Sequence, residues 1–159
     1  MMLDATQRFD TSLTAERLFD WHAALFPTGR SGIYKIKTAD WRDEVMQVTS
    51  GPMGKEKIHF EAPAASKVPI EMTVFLEWIE EETNLDPVLK AGIAHLWFVT
   101  IHPFDDGNGR IARAITDLLL ARADKTPQRF YSMSAQIQAE RNHYYDILES
   151  TQKGNLDIT

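Results

Sequence analysis

Residues 102–113 read His-Pro-Phe-Asp-Asp-Gly-Asn-Gly-Arg-Ile-Ala-Arg, and most of these side chains can do chemistry. His102 has an ordinary pKa of ~6.5, so it can take a proton near neutral pH. The plainer reading is a structural histidine with its hydrogen bonds satisfied. One carboxylate of Asp105 and Asp106 can hold a magnesium ion, which fills its other positions with water and substrate phosphate. The adjacent pair lacks the alternating spacing of a calcium loop. Gly107-Asn108-Gly109 lets the backbone turn tightly and come close to a ligand. A helix starting just beyond it aims unpaired N–H groups at an anion. Read alone, Asn-Gly is only a turn signal. Arg110 and Arg113 lie one helical turn apart on a shared face. Together they suit polyphosphate, while an ion pair from Arg113 to Asp117 is the plainer use of one of them. The lysine-bearing phosphate loop, Gly-Lys-Ser/Thr, is absent. A base, a metal carboxylate, an amide cradle and two cations add up to transfer of a phosphorus-containing group.

Two helices must hold this loop. Asp86 caps the first and Pro87 opens it. Residues 88–101 are apolar nearly all round, which makes that helix central. Pro103 disfavours helical geometry at His102, so the helix stops there. The second runs over 110–123 with Ile111, Ile115, Leu118 and Leu119 inward, and Lys125-Thr126-Pro127 ends it. Phe104, the apolar residue of a polar loop, reads as its anchor. His95, inside the apolar helix, reads as structural.

The rest of the chain surrounds this pair. Residues 14–26 place Leu18, Trp21, Leu25 and Phe26 at helical spacing before Pro27-Thr28-Gly29. Residues 30–43 are irregular. Residues 44–50 and 56–61 flank Gly51-Pro52-Met53-Gly54 and read as a hairpin. Its faces are too polar for a sheet core, so it lies against something or acts as a flap, unless it is a surface hairpin without a role. A linker over 63–69 leads into a helix to residue 82, with Met72, Phe75, Leu76 and Ile79 on one face and Glu80-Glu81-Glu82 as solvated charges. Ser134 caps a last helix through 150, with Ile137, Tyr144, Ile147 and Leu148 inward, and Gly154 ends it. Residues 1–12 are weakly patterned. The fold class is therefore all-α, a helical bundle with one inserted β-hairpin.

With 159 residues the chain fits one domain able to bury a real core. Its 43% hydrophobic and 25% charged residues are those of a globular protein. A net charge of −6 argues against general nucleic-acid binding, and leaves only a local basic cleft around Arg110 and Arg113. There is no cysteine, hence no disulfide and no thiolate metal site, which suits a cytoplasmic protein. The apolar run over 91–101 is interrupted by His95 and too short to span a bilayer.

Residues 102–113 resemble the H-P-F-x-[D/E]-G-N-G-R-x-x-R signature of the Fic family at every defined position. The similarity extends through the hairpin, the Asp86-Pro87 helix and Tyr144-Tyr145. It sets a domain over 14–152, an N-terminal extension over 1–13 and a truncated segment over 153–159. The resemblance implies a protein adenylyltransferase that moves AMP from ATP to a Ser, Thr or Tyr hydroxyl. In that reading His102 is the base and Asp106 holds magnesium on the α- and β-phosphates. Gly107, Asn108 and Gly109 cradle the α-phosphate, Arg110 and Arg113 grip the outer phosphates, and Asp105 has no role. The hairpin becomes the flap that aligns the target by strand addition, and Tyr145 and Gln152 lie near the adenine. The implied partners are ATP, a target protein, the chain itself as a target and a second copy in a homodimer, without nucleic acid or membrane. Removal of AMP, transfer of another nucleotide or phospho group, and a catalytically silent binding module are the alternatives. Many family members carry an inhibitory Glu followed by Gly or Asn, which pairs with the second motif arginine, here Arg113. Neither pair occurs in this sequence. The inhibitor is then a separate protein or lies in an absent segment, and the chain ends suggest a fragment of a longer protein.

Overall fold

The computed structural model describes residues 1–50, 57–128 and 132–153. Seven α-helices and two small two-stranded sheets appear among them. The central pair is α4 (Pro87–Ile101) and α5 (Asn108–Asp124), joined by the motif loop. The Asp86 carboxylate accepts from the N–H groups of Val88 and Leu89, and Pro87 opens the helix, as the sequence predicts. Ala91, Ala94, Phe98 and Ile101 of α4 meet Ile111, Ala114, Ile115 and Leu118 of α5 in the core. Helix α5 begins at Asn108, earlier than the apolar pattern shows, because the first turn carries polar loop residues.

Helix α2 (Ala15–Leu25) is capped by Thr14, whose side chain accepts from the Arg17 N–H. Helix α3 (Val68–Glu80), entered through a 3₁₀ turn over Ala65–Lys67, buries Val68, Met72, Phe75 and Ile79. The last predicted helix is two: α6 (Met133–Ala139), capped by Ser132 in place of Ser134, and α7 (Arg141–Lys153), with the break at Glu140. The predicted stop at Gly154 falls outside the described residues.

The unpatterned N-terminus is helical as well: α1 (Met2–Gln7) packs on α5, with Ala5 fully buried. Its apolar contacts, from Met1, Met2 and Ala5, are too few to show as a periodicity, and polar contacts fasten the rest. Arg17 is buried and donates to Asp4 Oδ2 at 2.9 Å and to the carbonyls of Asp4, Arg8 and Thr11, while the Trp21 indole donates to the same Asp4 oxygen at 2.7 Å. Glu80, read as a solvated charge, instead accepts from the Leu13 N–H at 3.0 Å and from Arg122 at 2.9 Å.

Residues 30–43, irregular in sequence, contain a miniature sheet of β1 (Arg30–Ser31) and β2 (Tyr34–Lys35). The predicted hairpin forms from β3 (Gln47–Ser50) and β4 (Lys57–Glu61), antiparallel, with an irregularity between Val48 and Thr49. Its turn lies outside the described residues. Strand β4 rests against α7, where His59 Nδ1 and Glu149 Oε2 are 2.6 Å apart.

Candidate active site

The loop between α4 and α5 is built from the inside outward. Phe104 is fully buried, its ring stacked on His22 at 4.2 Å and tilted against Trp41 at 5.2 Å. Asn108 is buried beside it. Its Oδ1 accepts from the Phe104 N–H at 3.0 Å and its Nδ2 donates to the Phe104 carbonyl at 2.7 Å. The amide side chain thus staples the loop and is not available to a ligand.

Gly107, the cap residue of α5, has φ +84°, where only glycine sits without strain. An added Cβ there would also meet the Phe26 ring at 2.9 Å. Its N–H donates to Asp106 Oδ1 at 2.5 Å. The N–H groups of Arg110 and Ile111 both reach the Gly107 carbonyl at 3.0 Å. Among the described residues, the N–H groups of Asn108 and Gly109 have no acceptor. The open cradle therefore consists of two amides, at the positive end of a 17-residue helix.

His102 ends α4 in the left-handed region, φ +52° and ψ +58°, a backbone that residues other than glycine rarely adopt. Its Nδ1 lies 3.2 Å from the Val99 carbonyl. A carbonyl only accepts, so Nδ1 carries the proton and Nε2 keeps its lone pair. Nε2 has no hydrogen-bond partner among the described residues. Burial lowers the pKa of this histidine, the Val99 carbonyl and Asp106 oppose the shift, and Arg42 adds to it. The negative end of α4 would favour a charged ring, but burial is the larger effect and favours the neutral one.

Asp106 has a half-exposed carboxylate fastened from both sides, by the Gly107 N–H and by a short hydrogen bond from the Ser31 hydroxyl. Arg110 approaches it at 3.8 Å and lies over the Phe26 ring at 4.7 Å. Among the described residues no group of three His, Asp or Glu could hold a metal ion, so a magnesium ion at the single Asp106 carboxylate would need water and substrate phosphate for its other positions. Asp105 points elsewhere, accepting from the Lys37 N–H at 2.8 Å. Arg113 forms no ion pair among the described residues, and its Nη1 lies 3.6 Å from where a Gly109 Cβ would be.

His95 is a satisfied core histidine. Thr116 donates to the Ala112 carbonyl, so its hydroxyl accepts from His95 Nδ1 at 3.2 Å, and His95 Nε2 accepts from the Tyr144 hydroxyl at 2.8 Å. Burial, helped by Arg113, pushes His95 down to about 4, and burial pushes Tyr144 up to about 12. Gln152 donates to the Thr100 hydroxyl at 3.2 Å, on the last turn of α4. Tyr145 is exposed, with ring contacts to Tyr144 and Arg141 on its own helix. Those contacts do not bring it to the loop.

Three supporting residues escape a sequence reading. Ser31 fastens Asp106. His22 accepts from the Ala39 N–H on Nδ1 and so donates from Nε2 to the Asp106 carbonyl at 3.1 Å, kept neutral chiefly by burial. Arg42 is buried against the carbonyls that end α4. None has a spacing relation to the motif, and only folding brings them to it.

The chain is 36% identical over 97 residues to the protein adenylyltransferase Fic of Culex quinquefasciatus, a match covering 59% of this chain and 18% of that protein. With protein adenylyltransferase fic-1 of Caenorhabditis elegans it shares 36% over 83 residues, 51% of this chain and 15% of that one. The matched region thus spans about a fifth or less of these curated relatives. The crystal structure of a Fic family protein from Desulfovibrio desulfuricans superposes with a TM-score of 0.71 at 28% identity, covering 94% of this chain and 42% of that one. A profile described as the Fic/DOC family matches residues 12–120. That stretch takes in the N-terminal cap of α2, both small sheets, the motif loop and most of α5: the chain belongs to the Fic/DOC family.

Proposed function

We propose that this chain transfers AMP from ATP to a Ser, Thr or Tyr hydroxyl of a protein. The observation that carries this reading is the state of His102. Its Nδ1 proton is committed to Val99, and its Nε2 lone pair is unpartnered among the described residues. It stands at one end of the loop whose other end offers the free amides of Asn108 and Gly109. His102 accepts the hydroxyl proton as the oxygen attacks the α-phosphorus. The new P–O bond forms while the bond to the β-phosphate oxygen breaks, and pyrophosphate leaves. Charge that grows on the α-phosphate oxygens is met by the two amides, already oriented by the Asn108 staple. Arg110 and Arg113 hold the outer phosphates. Magnesium, if bound at Asp106, would supply charge neutralisation on the α- and β-phosphates.

The adenine-side role is read for Gln152 and Tyr145, and what supports it for Gln152 is the contact of its amide with the last turn of α4. The hairpin is the segment against which a target strand would pair. Use of ATP fits the cytoplasmic setting that the cysteine-free sequence suggests. No described helix is long and apolar enough to cross a membrane.

Incubation with α-labelled ATP and magnesium tests the reading. Label should appear on the chain itself or on proteins of an added lysate, without any activating mutation, because Arg113 has no carboxylate partner among the described residues. A peptide that presents a glutamate to Arg113 should suppress labelling, since an Arg–carboxylate pair competes with phosphate. Arg113→Ala should reduce it as well. Label from the γ-position but not the α-position would make the enzyme a phosphotransferase. No label on any protein would leave a silent binding module.

A further inference from the structure

Arg42 lies where the hairpin joins the motif loop. The residue is 2% exposed, yet among the described residues no carboxylate pairs with it. Its guanidinium contacts are all to backbone carbonyls. Nε donates to His102 at 2.7 Å, Nη1 to Glu44 at 2.7 Å, and Nη2 to Pro63 at 2.6 Å and Ile101 at 3.3 Å. Its own N–H donates to the Pro103 carbonyl at 2.9 Å. Glu44 and Pro63 bracket the β3–β4 hairpin, while Ile101 and His102 end α4. The planar fork reaches both at once, which the point charge of a lysine cannot do. The unpaired carbonyls and negative end of α4 supply the compensation that a buried cation needs. The left-handed turn at His102 presents its carbonyl to this cation.

We propose that Arg42 is a positioning residue for the transfer: it holds the hairpin, and with it the acceptor hydroxyl, in register with the His102 imidazole. The role in transfer rests on the adenylyltransferase reading, while the mechanical coupling does not. The Arg42 charge also acts on the ring electrostatically. With burial it favours the neutral base, against Asp106 and the Val99 carbonyl, while Asp105 acts on Arg42 itself.

The test uses the 159-residue chain and its Arg42→Gln and Arg42→Lys variants. Transfer is read as self-labelling from α-labelled ATP, ATP binding by calorimetry, and backbone motion by hydrogen exchange. Arg42→Gln should slow transfer about 100-fold, as misplacement of reacting groups does. ATP affinity should stay within about twofold, since the nucleotide touches other residues. The acid limb of the pH–rate profile should move to higher pH in Arg42→Gln and stay in place in Arg42→Lys, which keeps the charge and recovers part of the rate. Exchange should quicken together in 47–50, 57–61 and 101–104, and not in 111–121. Transfer and ATP affinity falling in parallel, or exchange quickening evenly with an unmoved pH limb, would reduce Arg42 to core support and overturn the proposal. If Arg42→Gln does not fold, Arg42→Lys decides by the same exchange pattern. A wild-type chain that labels nothing sinks the adenylyltransferase reading instead, and exchange alone then decides the coupling.

Discussion

At the scale of single residues, the site works by committing groups in advance. His102 gives one nitrogen to Val99 so that the other keeps its lone pair, and Asn108 spends its amide on Phe104 so that two backbone N–H groups stay open. Replacing His102 with Ala should lower transfer by about 10² to 10⁴, the usual loss on removing a general base, with ATP binding nearly unchanged. Because burial depresses its pKa, the rate should hold on acidification to a lower pH than an ordinary histidine allows, before protonation removes the base. A pH–rate profile limited by the chemical step measures this, and a limb at or above the ordinary value counts against it. The two carboxylates should separate cleanly. Under the proposed reading, Asp106→Asn should weaken magnesium–ATP binding, with partial recovery at high magnesium. Asp105→Asn changes little, because an asparagine oxygen can still accept from the Lys37 N–H.

At the scale of elements, polar contacts decide where the outer helices sit. Tyr144 on α7 reaches His95 on α4, which reaches Thr116 on α5, so one chain of hydrogen bonds pins three helices. His95 holds its proton more weakly when folded than unfolded, with the folded value at about 4. The unfolded chain therefore binds more protons below its own value of ~6.5, and folding linkage makes stability fall with pH. That contribution is complete above the unfolded value and is lost as pH falls through the folded one. Melting temperature measured from pH 7 to pH 4 should decline, with His22 and His102 adding in the same direction. Replacing His95 with Gln should flatten the curve. It should also lower the plateau by about 1–3 kcal/mol, through imperfect pairing of the buried Tyr144 and Thr116 hydroxyls.

At the scale of the whole molecule, residues 1–13 hold a place that their sequence does not advertise. Ala5 and Leu13 are core residues, and the buried Arg17 finds its acceptors in Asp4, Arg8 and Thr11. Burial opposes ionisation of Asp4, yet the bonds from Trp21 and Arg17 hold it below the usual carboxylate range. Removing 1–13 should therefore destabilise the protein by at least 3–5 kcal/mol, the scale for a buried charge that loses its partner. Denaturant unfolding of the truncated chain checks it. An unchanged midpoint would show the segment to be a dispensable extension.

Much of this protein is legible in its sequence, for physical reasons that are local. The α4–α5 pair shows in apolar runs and in the Asp86-Pro87 start, and the break at His102 follows from Pro103. The motif loop can be read because its chemistry needs residues of particular types in one continuous stretch. Tertiary structure alone decided the rest. Helix α1 makes too few apolar contacts to show as a periodicity, and ion pairs and carbonyl contacts from Arg17 fasten the rest. The split between α6 and α7 turns on a break at Glu140 within a run of ordinary helix formers. Above all, Ser31 and Arg42 support the site from a stretch with no pattern, and His22 supports it from a helix whose periodicity gives no hint of the contact. A hydrogen bond to Asp106 or to the end of α4 needs only the right place in space, and chain spacing carries no trace of it.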